Sequence, residues 1–233
     1  KKWAECDAGF EAFRREHPGG SYAEYYAYRV RENLDAGEAH LTLGGKLKRN
    51  GKEELFEFVE HGRSTFGHFK NLLNFEPHHR VVDYGCGSLR IGYHMMNYLD
   101  PGNYFGLDVV GDFIEMGKAM SGGQTIAARR PRLAVISEES LSDAEIFKPD
   151  FVISSAVAFH VHPDETPVYY GNLKRLASKP GAVLFFTVHL ADKFRRVGRQ
   201  GFAWPLEFYK GQLTELEFVQ EYRETLMFRR PAH

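Results

Sequence analysis

From Arg80 onward, short apolar runs alternate with amphipathic stretches, and this alternation narrows the fold more than any other feature of the chain. Val81-Val82, Tyr104-Phe105-Gly106-Leu107, Phe151-Val152-Ile153 and Val183-Leu184-Phe185-Phe186 are near-continuous apolar runs, the pattern of strands covered on both faces. A helix between each strand and the next returns the chain in the same direction, so a parallel sheet follows. The pattern predicts strands over 80–84, 104–108, 132–136, 150–155 and 182–188, and helices over 89–99, 111–120, 141–147 and 165–177. The tail supplies one more helix, 206–214, and two last strands, 217–222 and 225–229. Residues 1–75 read differently. Ser21–Ala36 and Lys52–Val59 place apolar residues at helix-like intervals, broken by Pro18-Gly19-Gly20, Gly44-Gly45 and Asn50-Gly51, which predicts an α-helical segment ahead of the sheet.

Composition sets outer bounds. With 233 residues and 43% hydrophobic content, the chain can build one sizeable core. A formal charge of −1 provides no global field for nucleic acid or an anionic membrane. Cys6 and Cys86 are the only cysteines, which suits a reducing cytoplasm better than a disulfide framework. No apolar run approaches the ~20 residues of a membrane-spanning helix, and the leading KKWAECDAGF lacks a secretory apolar region. The expectation is a cytoplasmic protein with no nucleic-acid or membrane partner; none of these features sets an oligomeric state.

Val81 to Gly92, VVDYGCGSLRIG, is the segment richest in chemistry. A strand runs into Asp83, Gly85 and Gly87 follow, and a helix begins. Such a corner brings backbone N–H groups close to a ligand lying across the turn. The dinucleotide fingerprint G-x-G-x-x-G fails, because Arg90 stands where its last glycine belongs. With Asp83 ahead of the glycines, the D-x-G-x-G pattern resembles motif I of the class I S-adenosylmethionine (SAM) methyltransferases instead. Asp108, at the tip of the second strand, matches the acidic residue that accepts both ribose hydroxyls in that family. The resemblance covers roughly residues 63–230. It implies an α/β fold: a doubly wound, Rossmann-like, seven-stranded and mostly parallel sheet with helices on both faces, plus the α-helical N-terminal cap. It divides the chain into a helical cap or lid, 1–75, and a SAM-binding domain, 76–233. The implied activity is methyl transfer to a small organic acceptor, leaving S-adenosylhomocysteine (SAH).

The same resemblance assigns residues. Asp83, Gly85, Gly87 and Ser88 shape the glycine turn; Asp108 holds the ribose, and Val109 packs on the adenine. Glu138 or Glu139, after the third strand, meets the exocyclic amine, and Ala156 opens a loop that completes the cofactor site. Arg63 or Arg90 offers a bidentate fork to the methionine carboxylate. Ser155 to His160 is similar to the S-x-V-x-x-H stretch of small-molecule members, and no N-P-P-Y type motif for amide or adenine nitrogens occurs there. His160 and His189 fall just beyond adjacent strands. Methyl transfer is an in-line displacement, so holding the reactants close and aligned supplies most of the rate. A hydroxyl nucleophile must also lose a proton, which histidine is suited to take. Either histidine can be that base, or each can simply hydrogen-bond a loop backbone. Oxygen is the expected acceptor atom.

Two regions can define the acceptor. Tyr22, Tyr25, Tyr26 and Tyr28 either close over the cofactor or serve as plain packing. The basic run Lys193 to Arg199 either clamps an anionic group of the acceptor or is solvated. A competing constellation lies in His160-Val161-His162-Pro163-Asp164-Glu165. It is similar to hydrolase sites where imidazole and carboxylate hold zinc and a metal-bound water attacks. Against it, an H-x-H-x-D-H pattern needs histidine where Glu165 stands, and Pro163-Asp164-Glu165 also reads as a helix start. No metal ligand is therefore assigned. A SAM-binding protein without catalysis is the remaining alternative.

Overall fold

The computed structural model describes residues 2–38, 40, 42, 45–49, 52–56, 58–198 and 201–232. In chain order the elements begin with α1 (Lys2–Glu16), α2 (Tyr22–Asp35), β1 (Gly45–Arg49), β2 (Lys52–Phe56), α3 (Phe58–Leu73), β3 (Val81–Tyr84), α4 (Gly92–Tyr98), β4 (Tyr104–Asp108), α5 (Gly111–Ser121) and α6 (Gly123–Arg129). They continue with β5 (Arg132–Val135), α7 (Glu138–Ile146), β6 (Phe151–Ser154), α8 (Thr166–Leu176), β7 (Val183–Thr187), β8 (Arg195–Val197), β9 (Gly201–Ala203), α9 (Leu206–Gln212), β10 (Glu217–Tyr222) and β11 (Thr225–Arg229). Seven strands form one mostly parallel sheet in the order β10-β11-β7-β6-β3-β4-β5. By its contacts the chain separates into two compact units, Val30–Phe147 and the segments Lys1–Arg29 with Lys148–His233. Among the described residues no helix is long and apolar enough to cross a membrane.

In the unit Val30–Phe147, β3 pairs with β4 and β4 with β5, all parallel. Every residue of β3 and β4 is buried, as continuous apolar strands require. β5 is different: Arg132 and Val135 are exposed, and a charged end suits a sheet edge. The helix expected over 89–99 begins only at Gly92, because Leu89 adopts a left-handed backbone with φ +63. α7 begins earlier than expected, since Ser137 caps it reciprocally with Ser140. α6 has no counterpart in the sequence reading. Gly122, at φ +84, ends α5 and turns the chain directly into it.

The largest correction lies between α2 and α3. Lys52–Val59 reads as helical, yet Lys52–Phe56 is a strand paired antiparallel with Gly45–Arg49. Arg49 faces Lys52, so a two-residue connection joins the strands, and Asn-Gly is a dipeptide strongly favoured in such loops. Asn50 and Gly51 themselves lie outside the described residues, as do Gly44 and Arg199. The turn after β3 is packed backbone to backbone. A Cβ on Gly117 of α5 would collide with the Ser88 carbonyl, and one on Gly62 of α3 with the Arg90 carbonyl.

In the other unit β6 and β7 are parallel, while β11 runs antiparallel to β7 and β10 antiparallel to β11. β10 is exposed along its whole length and carries a bulge between Phe218 and Gln220, a way of blunting an edge strand. The basic run Lys193–Arg199 contains the short strand β8, which pairs antiparallel with β9 beyond it. Its Arg196 makes a bidentate pair with Asp7 of α1, at 2.6 and 2.6 Å. Tyr22 and Tyr25 are buried with Phe10 and Phe13, so these tyrosines serve packing, each buried aromatic contributing about 1.5–3 kcal/mol. Tyr28 is exposed. Ser21 and Glu24 cap the start of α2 reciprocally, and the Glu165 carboxylate accepts the Tyr22 and Ala23 N–H groups there as well.

Two glycine substitutions separate close packing from backbone entropy. Gly171, inside α8, has open space where a Cβ would go, so Gly171→Ala should raise stability by about 0.5–1 kcal/mol. Gly117→Ala should lower it by about 1–3 kcal/mol through overpacking. Urea unfolding of both variants is the check, and an unchanged midpoint for Gly117→Ala would remove the close-approach account.

Candidate active site

The glycine turn is built by β3 and β4 together. Gly85 and Gly87 adopt φ +90 and +53, backbone that side chains rarely tolerate. The Gly85 and Cys86 N–H groups donate to the Leu107 carbonyl at 2.7 and 3.0 Å. The Gly87 N–H donates to Oδ2 of Asp108 at 2.7 Å, and the Val110 N–H donates to Oδ1 at 2.8 Å. Asp108 thus has both oxygens engaged by backbone N–H groups of the two turns. Burial raises the Asp108 carboxyl above its ordinary range, against the pull of the Val110, Gly87 and Val109 N–H groups.

Asp83 lies beneath. Burial pushes its carboxyl up to about 7, the Tyr104 hydroxyl pulls the other way, and the charge of Asp108 adds to the rise. Tyr104 donates that hydrogen bond at 2.8 Å. Both carboxyl groups are thus buried at one turn, and burial favours the neutral acid in each. Ser88 is fully buried, and Thr42 covers it: Thr42 Oγ1 is 2.9 Å from Ser88 Oγ and accepts the Ser88 N–H at 3.3 Å. A Cβ on Gly87 would come within 2.8 Å of the same Thr42 oxygen. Thr42 packs directly on the turn, so glycine alone fits beneath it at Gly87.

The remaining assigned residues of this unit lie at differing places. Val109 is half-buried directly after β4, and Glu138 is exposed at the first position of α7. Glu139 is exposed beside it. Arg63 is exposed on α3 and pairs with Glu60 at 3.0 Å. Arg90 is half-buried in the turn before α4, and burial lowers its pKa.

In the other unit, Ala156 follows β6 with φ +58, and its N–H donates to Thr187 Oγ1 at 2.6 Å. His160 is exposed at the end of a 3₁₀ turn, Ala158–His160. His189 is half-buried beyond β7, stacked on Phe159 at 4.4 Å, with Nδ1 3.3 Å from Glu224 Oε2. The zinc constellation does not assemble. Among the described residues no group of His, Cys, Asp and Glu is placed to hold a metal ion. His162 instead stacks on Tyr22 at 5.1 Å, and its Nδ1 accepts the Asp164 N–H at 3.3 Å. Thr42, Tyr104 and Glu224 escaped the sequence reading. None of the three had a local signal, since each meets its partner across a long stretch of chain.

No protein-family model matches the sequence, and no curated protein matches it. Solved structures match in fold. Magnesium protoporphyrin IX methyltransferase from Synechocystis PCC 6803, with bound SAH, aligns over 90% of this chain and 98% of its own, with TM-score 0.61 and 13% identity. The [4+2]-cyclase SpnF aligns over 90% and 94%, with TM-score 0.62 and 12% identity. A putative sarcosine dimethylglycine methyltransferase from Galdieria sulphuraria aligns over 88% and 98%, with TM-score 0.58 and 11% identity. The fold is that of the class I SAM-dependent methyltransferases. At such identities the similarity reaches no further than the fold, which hosts more than one chemistry.

Asp83 gives the site a pH signature. Its proton is bound more tightly in the folded chain, about 7 against 3.8 unfolded. Its contribution to stability is therefore complete below pH ~4 and is lost as pH rises toward 7, a change of about 2–4 kcal/mol. Asp83→Asn, which still accepts the Tyr104 hydroxyl, should flatten that decline. Equal slopes of unfolding free energy against pH in both proteins would rule out a raised Asp83.

Proposed function

We propose that this chain is a SAM-dependent methyltransferase acting on a small organic acceptor, with a hydroxyl oxygen as nucleophile. The carrying observation is the turn of Gly85 and Gly87 with the Asp108 carboxylate bonded to it. A flat ligand edge with a vicinal diol fits these residues, since the turn presents backbone and the Asp108 carboxylate can accept from hydroxyl groups. Asp108 would take the ribose hydroxyls, with Val109 against the adenine and Glu138 near its amine. The backbone of the turn would meet the methionine end; to join it Ser88 would have to be uncovered from Thr42, and Arg63 to give up Glu60. When bound, the cofactor supplies a methyl group on positively charged sulfur as electrophile.

The chain's own contribution is then to bind, to orient and to exclude water, and to receive the acceptor's proton through His160 or His189. Both cysteines are free and buried, which supports a reducing compartment such as the cytoplasm. The acceptor's anionic character is supported by nothing firmer than the basic run, whose Arg196 is already committed to Asp7. A second reading, cofactor binding without methyl transfer, draws support from SpnF, a cyclase with this fold.

Calorimetric titration with SAH in chelator-treated buffer tests the proposal. One-to-one binding is expected. Asp108→Ala should weaken it by about 1–3 kcal/mol, through loss of charge-assisted hydrogen bonds. Absence of binding by the unmodified chain would overturn the cofactor reading, and unchanged affinity in Asp108→Ala would overturn the ribose assignment.

A further inference from the structure

His189 is held from two sides. Its ring stacks on Phe159 at 27° between planes, and its Nδ1 faces Glu224 Oε2. The second oxygen of Glu224 accepts the Leu190 N–H at 3.0 Å, and its backbone carbonyl accepts the Val188 N–H at 2.8 Å. Glu224 thus brackets His189 through both of its sequence neighbours. Strand topology brings it there. β11 runs antiparallel to β7 with Thr225 opposite Thr187, so the turn between β10 and β11 emerges beside the carboxyl end of β7. That turn is strained: Arg223 and Glu224 adopt φ +48 and +57, where tight hairpins ordinarily place glycine or asparagine. Ligands of open α/β sheets gather beyond the carboxyl ends of strands, and strain at such a place accompanies function.

We infer that Glu224 is a positioning residue that fixes the tautomer of His189, making His189 the proton acceptor for a hydroxyl substrate; this rests on the methyltransferase reading above. A neutral imidazole carries one N–H and one lone pair, and its hydrogen-bond partner selects which nitrogen has which. A carboxylate only accepts, so Nδ1 bears the hydrogen and Nε2 the lone pair. Among the described residues Nε2 takes no hydrogen bond, and about a third of the side chain is exposed, 33%. The reaction balances as follows. The acceptor O–H breaks and its proton goes to Nε2; the oxygen pair forms the new O–C bond; the pair of the breaking S–C bond stays on sulfur. The imidazolium then returns its proton to solvent. The surrounding groups agree with this role: the Glu221 carboxylate is turned to the Glu224 N–H at 3.1 Å, and the Tyr209 hydroxyl donates to the His189 carbonyl at 3.1 Å.

Long-range nitrogen–proton spectra of the ¹⁵N-labelled full chain at mildly alkaline pH read the tautomer, with His189 assigned by His189→Asn. The unmodified chain should show the Nδ1–H form. Glu224→Ala should lose that preference, and Glu224→Gln, whose amide oxygen also accepts, should restore it. Diethyl pyrocarbonate should modify His189 several-fold faster in the unmodified chain than in Glu224→Ala. An Nε2–H form in the unmodified chain overturns the inference, and that spectrum decides even if Glu224→Ala fails to fold. So does a modification rate indifferent to Glu224. SAH titration of the same samples keeps the two readings apart: lost binding with an intact tautomer preference defeats methyl transfer and leaves the pair standing.

Discussion

One buried carboxylate ties two strand-end turns together. Asp108 accepts the Gly87 N–H from the turn after β3 and the Val110 N–H from its own turn before α5. Each bond is charge-assisted and shielded from water, so it is stronger than an ordinary backbone bond. The consequences spread outward. With Gly87 pulled onto Asp108, the chain must climb back toward α4 over Ser88 and Leu89, and Leu89 is forced into left-handed backbone. The carbonyls of that climb are then covered by the glycines of α3 and α5. The turn is thus a fixed object held by strands and helices, not a loop waiting for its ligand to shape it.

Holding it costs free energy in two forms. The first is electrostatic: Asp83 and Asp108 are both buried, and each has its carboxyl raised by burial. The second is conformational, about 1–3 kcal/mol for each strained non-glycine residue. The left-handed residues fall into two groups. Asn74, Arg130 and Lys148 follow helices, where such backbone is the ordinary way to end a helix. Leu89, Ala156, Arg223 and Glu224 lie instead beyond strand ends or in the hairpin turn beside one.

What the sequence made legible follows from the range of each interaction. The central strands were readable because burial on both faces demands unbroken apolar runs, as in Phe151–Ile153 and Val183–Phe186. The glycine turn was readable because positive φ at Gly85 and Gly87 demands glycine locally. Lys52–Val59 misled because its apolar spacing suits a helix, while pairing with Gly45–Arg49 makes Lys52–Phe56 a strand. Leu89 could not be foreseen, since its left-handed backbone follows the hold of Asp108 on Gly87, a contact between residues far apart in sequence. Thr42 and Glu224 meet their partners across long stretches of chain, and no local pattern announces such a meeting.

The stretch from His160 to Glu165 shows how position decides chemistry. Read as residues, it offers imidazole and carboxylate at a spacing that suits zinc. In the fold its polar groups are already engaged within one unit. Glu165 satisfies the first N–H groups of α2, which otherwise lack partners. His162 packs among Tyr22, Phe10 and Phe202, with Nδ1 turned to its own loop. Releasing these groups to a metal would uncap a helix and open an aromatic cluster. A dock for the N-terminal helices explains every one of those contacts.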